Sequence, residues 1–187
     1  MNAMLKVEPL GIPEVLLVTP KRFADDRGFF VESYNAERFR AAGIDYDFVQ
    51  DNHSLSVEAG TVRGLHYQSP PRAQTKLVRV LRGAITDVVV DARKGSPTFG
   101  RHVSAVLSAE NGVQLLAPAG FLHGFATLEP NTEVAYKVTD FYSADHDGGV
   151  IWNDPDLGID WGIDVATASL SVKDAAAQRW KDFDSPY

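Results

Sequence analysis

The chain has 187 residues, a formal charge of −7, 44% apolar and 23% charged residues, and no cysteine. That length suits one domain burying roughly 70% of its unfolded surface, and the acidic balance argues against a general nucleic-acid-binding face. Without cysteine there is no disulfide framework and no thiolate metal site, and without a run of about 18 apolar residues no membrane-spanning helix is expected.

In chain order, Lys6 and Glu8 interrupt the first residues, so no secretory leader is expected there. Val15–Val18 and Phe29–Tyr34 read as strands, rich in β-branched and aromatic residues. Asn35 is placed to cap a helix over Ala36–Ala42, with Gly43 as its stop. The stretch Thr61-Val-Arg-Gly-Leu-His-Tyr-Gln-Ser-Pro-Pro71 is strand-like and carries His66. Further strands are predicted over Lys76–Leu81, Ala84–Val90, Val103–Leu107, Gln114–Ala117 and Glu133–Val138. Turn residues separate them at Gly60, Gly83, Gly95-Ser-Pro97, Asn111-Gly112 and Pro130-Asn131. Ser171 is placed to cap a second helix over Val172–Trp180. Many short strands with regular turns predict an all-β sandwich or barrel with a few short helices.

Basic groups in apolar strands need a reason. The period of two puts Lys76 on the inward face with Val78 and Val80, and Tyr136 on one with Val134 and Val138. A lysine there either snorkels at a barrel mouth or stabilises an oxyanion. A buried tyrosine more often just finds a hydrogen-bond partner. His66 shares a regular strand face with Val62 and Gly64, where a histidine is commonly a satisfied core residue. As a functional group it would remove a carbon-bound proton while Lys76, on a neighbouring strand, holds the resulting enolate. Arg63 should point away from His66 in a regular strand, so a shared pocket requires a bulge at Gly64. Ser171-Val-Lys-Asp174 reads as a capping box. Phe121 and Phe125, flanking His123, are expected in the core.

Arg63-Gly-Leu-His-Tyr-Gln with Pro70-Pro71 resembles the signature of the dTDP-4-dehydrorhamnose 3,5-epimerases. Asp26-Arg-Gly-Phe-Phe-Val-Glu32, Gln50-Asp-Asn-His-Ser54, Asp91-Ala-Arg-Lys-Gly-Ser-Pro97, Pro118-Ala-Gly-Phe-Leu-His-Gly-Phe125 and Trp152-Asn-Asp-Pro155 match that family in order. The resemblance runs from about Phe23 to Asp174. It implies one epimerase domain over residues 1–187: a cupin-type jelly-roll barrel, its core roughly 45–145, with an N-terminal strand segment and a C-terminal helical segment.

It also implies roles. His66 resembles the family's base, Tyr136 its general acid and Lys76 its oxyanion partner, while Asp174 resembles the carboxylate paired with the base. A side chain reaching back to a helix cap is expected not to hold His66 well, so cap and dyad compete for Asp174. Arg27, Arg63 and Lys173 match anion-binding positions suited to a diphosphate. Glu32, Gln50, Asp51, Asn52, His123 and Asp147 also fall on substrate-binding positions, and Tyr142 resembles the ring that stacks on thymine. Metal-binding barrels of this type need a histidine and carboxylate cluster. Here Gln68 stands where a second histidine would sit, so no metal is expected. No Gly-x-Gly-x-x-Gly occurs, and a ketone substrate needs no redox cofactor, so none is expected.

The implied substrate is dTDP-4-dehydro-6-deoxy-D-glucose and the implied product dTDP-4-dehydro-L-rhamnose, in a cytoplasmic enzyme with no nucleic-acid or membrane partner. A homodimer is expected, with Val15–Val18 adding a strand to a partner's sheet. The alternatives are a related epimerase acting at C3 or C5 alone, or a non-catalytic cupin-like binder of sugar nucleotides.

Overall fold

The computed structural model describes residues 4–187. Two antiparallel sheets face each other across one apolar interior. The strands are β1 (Leu5–Pro9), β2 (Leu16–Pro20), β3 (Arg22–Asp25), β4 (Gly28–Val31), β5 (Gln50–Ser56), β6 (Val62–Gln68) and β7 (Lys76–Arg82). They continue as β8 (Ala84–Asp91), β9 (His102–Ser108), β10 (Gln114–Ala117), β11 (Phe121–Thr127), β12 (Thr132–Val138) and β13 (Asp147–Gly149). The six-stranded sheet runs β1-β2-β10-β7-β12-β5 and the five-stranded sheet β13-β6-β11-β8-β9. β3 and β4 form a hairpin that joins neither. The fold is thus all-β, as the strand pattern predicts, and is the jelly roll that the family resemblance implies.

Burial explains the strand faces. On β8, Ile85 and Val89 enter the interior between the sheets, while Val88 and Val90 enter a second core on the sheet's outer side. That outer core is closed by Trp152, Leu157, Trp161 and Phe183 from the C-terminal segment. Both faces are therefore covered, and every residue of β8 is buried. β11 alternates likewise, with Phe121 and Phe125 inward and Leu122 and Ala126 outward, so both phenylalanines are core as expected.

The first helix, α1 (Ala36–Ala41), forms where predicted, and Asn35 accepts the Arg38 N–H at 3.1 Å. Its Phe39, 2% exposed, packs on Val18, Leu77 and Leu116 outside the six-stranded sheet. Burying such a ring contributes roughly 1.5–3 kcal/mol. The second helix, α2, is much shorter than predicted and covers only Val172–Ala175. Beyond it the chain returns to extended geometry and bridges Gln178 to Val150, because backbone pairing with the sheet edge competes successfully with helix propagation. The strand over Phe29–Tyr34 also ends early, at Val31.

The expectation that residues 15–18 add a strand to a partner's sheet is overturned. β2 is paired on one side with β1 and on the other with β10, so its backbone has no free edge. Among the described residues, no helix is long and apolar enough to cross a membrane.

Candidate active site

β6 and β7 lie in different sheets, so His66 and Lys76 do not sit on paired strands as the sequence suggested. They meet across the interior instead. A cavity of about 220 Å³ is lined by His66, Arg63, His123 and Phe125 from the five-stranded sheet. Ser54, Lys76 and Tyr136 come from the six-stranded sheet, and Ser171, Lys173 and Asp174 from the α2 region.

The backbone of β6 explains how two residues of opposite parity share this cavity. Opposite β11, His66 pairs with His123 and Arg63 with Phe125, so three steps on β6 face two on β11. The extra residue is a bulge at Gly64, whose φ is +126°. A Cβ there would lie 2.6 Å from Gly124 Cα and 2.8 Å from the His123 carbonyl oxygen. Only glycine fits this approach. The bulge turns Val62 and Leu65 into the outer core and leaves Arg63 and His66 lining the cavity. His66 therefore does not share a face with Val62, as regular alternation predicted.

His66 Nε2 lies 2.5 Å from Asp174 Oδ1. Oδ2 of the same carboxylate accepts the Ser171 hydroxyl at 2.9 Å, and Ser171 Oγ accepts the Asp174 N–H at 3.0 Å. Cap and dyad therefore do not compete, because the carboxylate has two oxygens and uses one for each. Burial pushes the Asp174 pKa up, but the His66 hydrogen bond and charge, the Ser171 hydroxyl and Lys173 together hold it below the ordinary range. An ionised carboxylate only accepts, so Nε2 carries the imidazole proton and Nδ1 is left as the basic nitrogen.

Lys76 and Tyr136 stand on adjacent strands, Lys76 opposite Val138 and Tyr136 opposite Val78. Burial lowers the Lys76 pKa to about 8, against opposition from Asp147 and Asp87, while Lys173 adds to the fall. Burial raises the Tyr136 pKa; Arg63 opposes this and Asp147 reinforces it. The phenol is therefore protonated at neutral pH. His123 is 6% exposed, with Nε2 at 2.9 and 3.1 Å from the two oxygens of fully buried Asp87. Asp87 was missed in the sequence, although it shares the inward period of Ile85 and Val89. Ser54 was also missed, and no spacing marked it.

The remaining expected residues lie at three distances from this cavity. Asp147 on β13 accepts Lys173 Nζ, and the Tyr142 hydroxyl donates to the same carboxylate oxygen at 3.2 Å. These two thus reach the rim through Lys173. Gln50 accepts the Tyr142 N–H at 3.1 Å and donates to Asn52 at 2.9 Å, which ties β5 to that rim. Asp51 and Asn52 line a neighbouring cleft with Tyr34 and Arg79 that shares Tyr136 with the cavity, and Asp51 pairs with Lys137 at 2.8 Å.

Within this chain Arg27 and Glu32 are not brought to the cavity. Arg27 lies at the exposed tip of the β3–β4 hairpin, paired with Asp25 at 2.6 Å, and Glu32 pairs with Arg38 at 3.1 Å. Gln68 is occupied in positioning loops: its amide donates to the Arg72 and Phe141 carbonyls and its carbonyl accepts the Ser143 N–H at 2.9 Å. His66 and His123 each face their own carboxylate, and among the described residues no three metal-ligating side chains cluster.

Comparison with known proteins places this chain in a family. The family profile described as dTDP-4-dehydrorhamnose 3,5-epimerase matches residues 9–182. A protein of that name from Sinorhizobium fredii is 54% identical over 90% of this chain and 86% of its own. The structure of the Bacillus anthracis protein of that name, with TDP and PPi bound, is 52% identical. It superposes with a TM-score of 0.90 over 94% of this chain and 99% of its own. The Legionella pneumophila dTDP-6-deoxy-D-glucose-3,5-epimerase in complex with dTDP-4-keto-L-rhamnose is 45% identical. Its TM-score is 0.92, over 96% of this chain and 95% of its own. With a matching profile over most of its length and relatives at this identity, the chain belongs to the dTDP-4-dehydrorhamnose 3,5-epimerase family, carbohydrate epimerases of the isomerase class.

Proposed function

We propose that this protein inverts C3 and C5 of dTDP-4-dehydro-6-deoxy-D-glucose, giving dTDP-4-dehydro-L-rhamnose, with His66 as base, Tyr136 as acid and Lys76 as oxyanion partner. One observation carries the reading: His66 enters the cavity from one sheet, and Lys76 and Tyr136 enter it from the other. Inversion requires a proton to leave one face of the sugar ring and another to arrive on the opposite face. A base and an acid on facing sheets supply that arrangement.

The C4 ketone acidifies the hydrogens on both neighbouring carbons. Nδ1 of His66 takes a proton, with Asp174 fixing the tautomer and stabilising the imidazolium. Charge then develops on the C4 oxygen. The Lys76 ammonium, already desolvated, needs no reorganisation to meet it. Tyr136 delivers its phenolic proton to the other face; His66 then releases its proton to solvent and Tyr136 regains one, which resets the pair for the second centre. The C4 ketone is present in substrate and product alike and is only transiently an enolate, so the cycle is redox-neutral and needs no redox cofactor.

Arg63 and Lys173 are the cations nearest to hand for the diphosphate, with Asp147 holding Lys173 before substrate enters. Tyr142, 61% exposed beside this pair, is the ring offered to the thymine. Gln50, Asp51, Asn52 and His123 complete the binding set. The relatives with TDP and with dTDP-4-keto-L-rhamnose support a nucleotide-sugar ligand. Arg27 and Glu32 serve a site only if the hairpin of one copy reaches another, so the enzyme is proposed to be a homodimer. Phe29 and Phe30 on that hairpin, 58% and 68% exposed, are the apolar surface a second copy would cover.

The test is turnover of the 4-keto sugar nucleotide with product stereochemistry read by NMR. His66→Ala should abolish proton exchange at both carbons while dTDP still binds. Near wild-type turnover in that variant would overturn the assignment of the base.

A further inference from the structure

Trp152-Asn-Asp-Pro155 contributes nothing to the cavity, yet Asp154 is only 1% exposed. Its carboxylate accepts Arg179 Nε at 2.7 Å, the Trp180 N–H at 2.9 Å and the Asp156 N–H at 2.9 Å. A charge this deeply buried is held because it is fully hydrogen-bonded. Two of its three partners, Arg179 and Trp180, lie just beyond α2, which carries Asp174.

α2 has little to fasten it. It is one turn long, and a single turn has no independent stability. Its first residue, Val172, is 88% exposed, and its one buried residue is Asp174 itself. With no apolar side chain docked on the barrel, its place is set by its flanks. Upstream, Ser169 donates to the Gly60 carbonyl at 2.9 Å and accepts the Val62 N–H at 2.9 Å, where β6 begins. Downstream, Gln178 accepts the Ile151 N–H at 2.8 Å, just past β13, whose Gly149 pairs with His66. Asp154 then captures the next two residues, Arg179 and Trp180. Both anchors thus grip segments adjoining His66, and α2 spans the gap between them.

The geometry points to Asp154 as a positioning residue for the His66–Asp174 pair: by holding Arg179 and Trp180 it fixes the downstream end of the segment that aims Asp174 at Nε2. This rests on the reading of that pair as the base dyad. Asp154 touches neither the cavity nor the dyad, and it acts only through the chain it anchors.

The experiment compares wild type, Asp154→Asn, Asp174→Asn and His66→Gln, using ¹⁵N-histidine NMR and turnover together. In wild type His66 should show one tautomer, protonated at Nε2. Asp154→Asn should move the His66 ring nitrogens in the same direction as Asp174→Asn. Turnover should fall about 10- to 100-fold, the order expected when a catalytic group is misplaced by about 1 Å. His123, held by Asp87 within the barrel strands, should not move and serves as the internal control.

A His66 spectrum identical to wild type with turnover within about twofold, even with a lower Tm, would show that Asp154 only supports the fold and would overturn the inference. If His66→Gln kept its turnover, the base assignment would fall, while the ring signal of Asp154→Asn would still decide the positioning claim. Should Asp154→Asn not fold, Arg179→Met removes one of the three bonds and leaves both backbone donors on Asp154. The same two readouts then apply, with a smaller shift expected and an unchanged His66 signal again overturning the inference.

Discussion

Asp174 bonds His66 with one carboxylate oxygen at 2.5 Å and Ser171, its own helix cap, with the other at 2.9 Å. The helix terminus and the proposed base therefore share one anion, and the two functions should separate by mutation. Asp174→Asn should lower turnover by at least about tenfold, because the amide no longer enforces the Nε2–H tautomer. Ser171→Ala should cost about 1 kcal/mol of stability, the usual loss for a serine cap. Its turnover should change far less, since Oδ1 still meets His66. Equal losses in the two variants would assign the orienting role to the hydroxyl instead.

Lys76 sets the expected pH dependence. Burial places its folded-state pKa at about 8, below the ordinary 10.5. As pH rises, the folded protein therefore loses this proton before the unfolded chain does. The desolvated charge opposes folding fully below about 8, and that opposition is relieved as pH rises from about 8 to 10.5. In the proposed mechanism activity runs the other way, because oxyanion stabilisation by Lys76 needs the ammonium. kcat/KM should fall as pH rises through about 8. Lys76→Arg keeps its charge in that range, so its basic limb should move to higher pH, at a reduced rate. A limb that stayed in place would remove Lys76 from the titration.

Gly64 is where the two cavity-lining residues of β6 are brought into register. Gly64→Ala places a methyl 2.6 Å from the Gly124 Cα, at a φ of +126°. Neither neighbour is a flexible side-chain end that can swing away. Thermal unfolding should show a loss of more than about 2 kcal/mol. The surviving folded fraction should have lower turnover, since loss of the bulge would turn Arg63 or His66 out of the cavity. A variant of normal stability and activity would show that β6 tolerates regular pairing.

The fold was legible where period two and burial agree. Lys76–Leu81, Ala84–Val90 and Glu133–Val138 read correctly because each packs an apolar face against a continuous core. β5 carries no strand signal of its own, since Gln50 to Ser54 has polar side chains throughout. Its place is fixed by pairing with β12. The C-terminal helix was over-extended because Lys173 to Gln178 suits a helix locally, whereas the bridge of Gln178 to Val150 is a non-local pairing no local pattern reveals. The bulge at Gly64 could be anticipated only by asking how Arg63 and His66 share a site. That His66 and Lys76 meet across two sheets required topology.

The β3–β4 hairpin bears on assembly. Arg22 stacks on Phe29 and Lys21 on Phe23, so its aromatic surface is rimmed with cations. Phe30→Glu should shift a wild-type dimer toward monomer in light scattering and weaken dTDP binding, because Arg27 and Glu32 would no longer be presented to the partner's site. A wild-type monomer with full activity would end the homodimer proposal and leave Arg27 without a binding role.

The number of inverted centres is decided by isotope. In the proposed mechanism each inversion removes a carbon-bound proton and replaces it through Tyr136, whose hydroxyl exchanges with solvent. Turnover in D₂O should therefore place deuterium at both C3 and C5. An epimerase acting at one centre would label one carbon and leave the other protonated. Two precautions make the result decisive. A 4-keto sugar exchanges slowly unaided, so incubation must be short and compared with an enzyme-free control. An unfavourable equilibrium would hide the second inversion, so a reductase must trap the product as it forms. Two labels are expected because, in the proposed mechanism, one C4 oxyanion held by Lys76 serves both enolates. His66→Ala should label neither carbon and Tyr136→Phe should label without inverting, because the base still exchanges protons on one face. Deuterium at only one carbon of the trapped product would reassign the enzyme to single-centre epimerisation while leaving His66, Lys76 and Tyr136 in their roles.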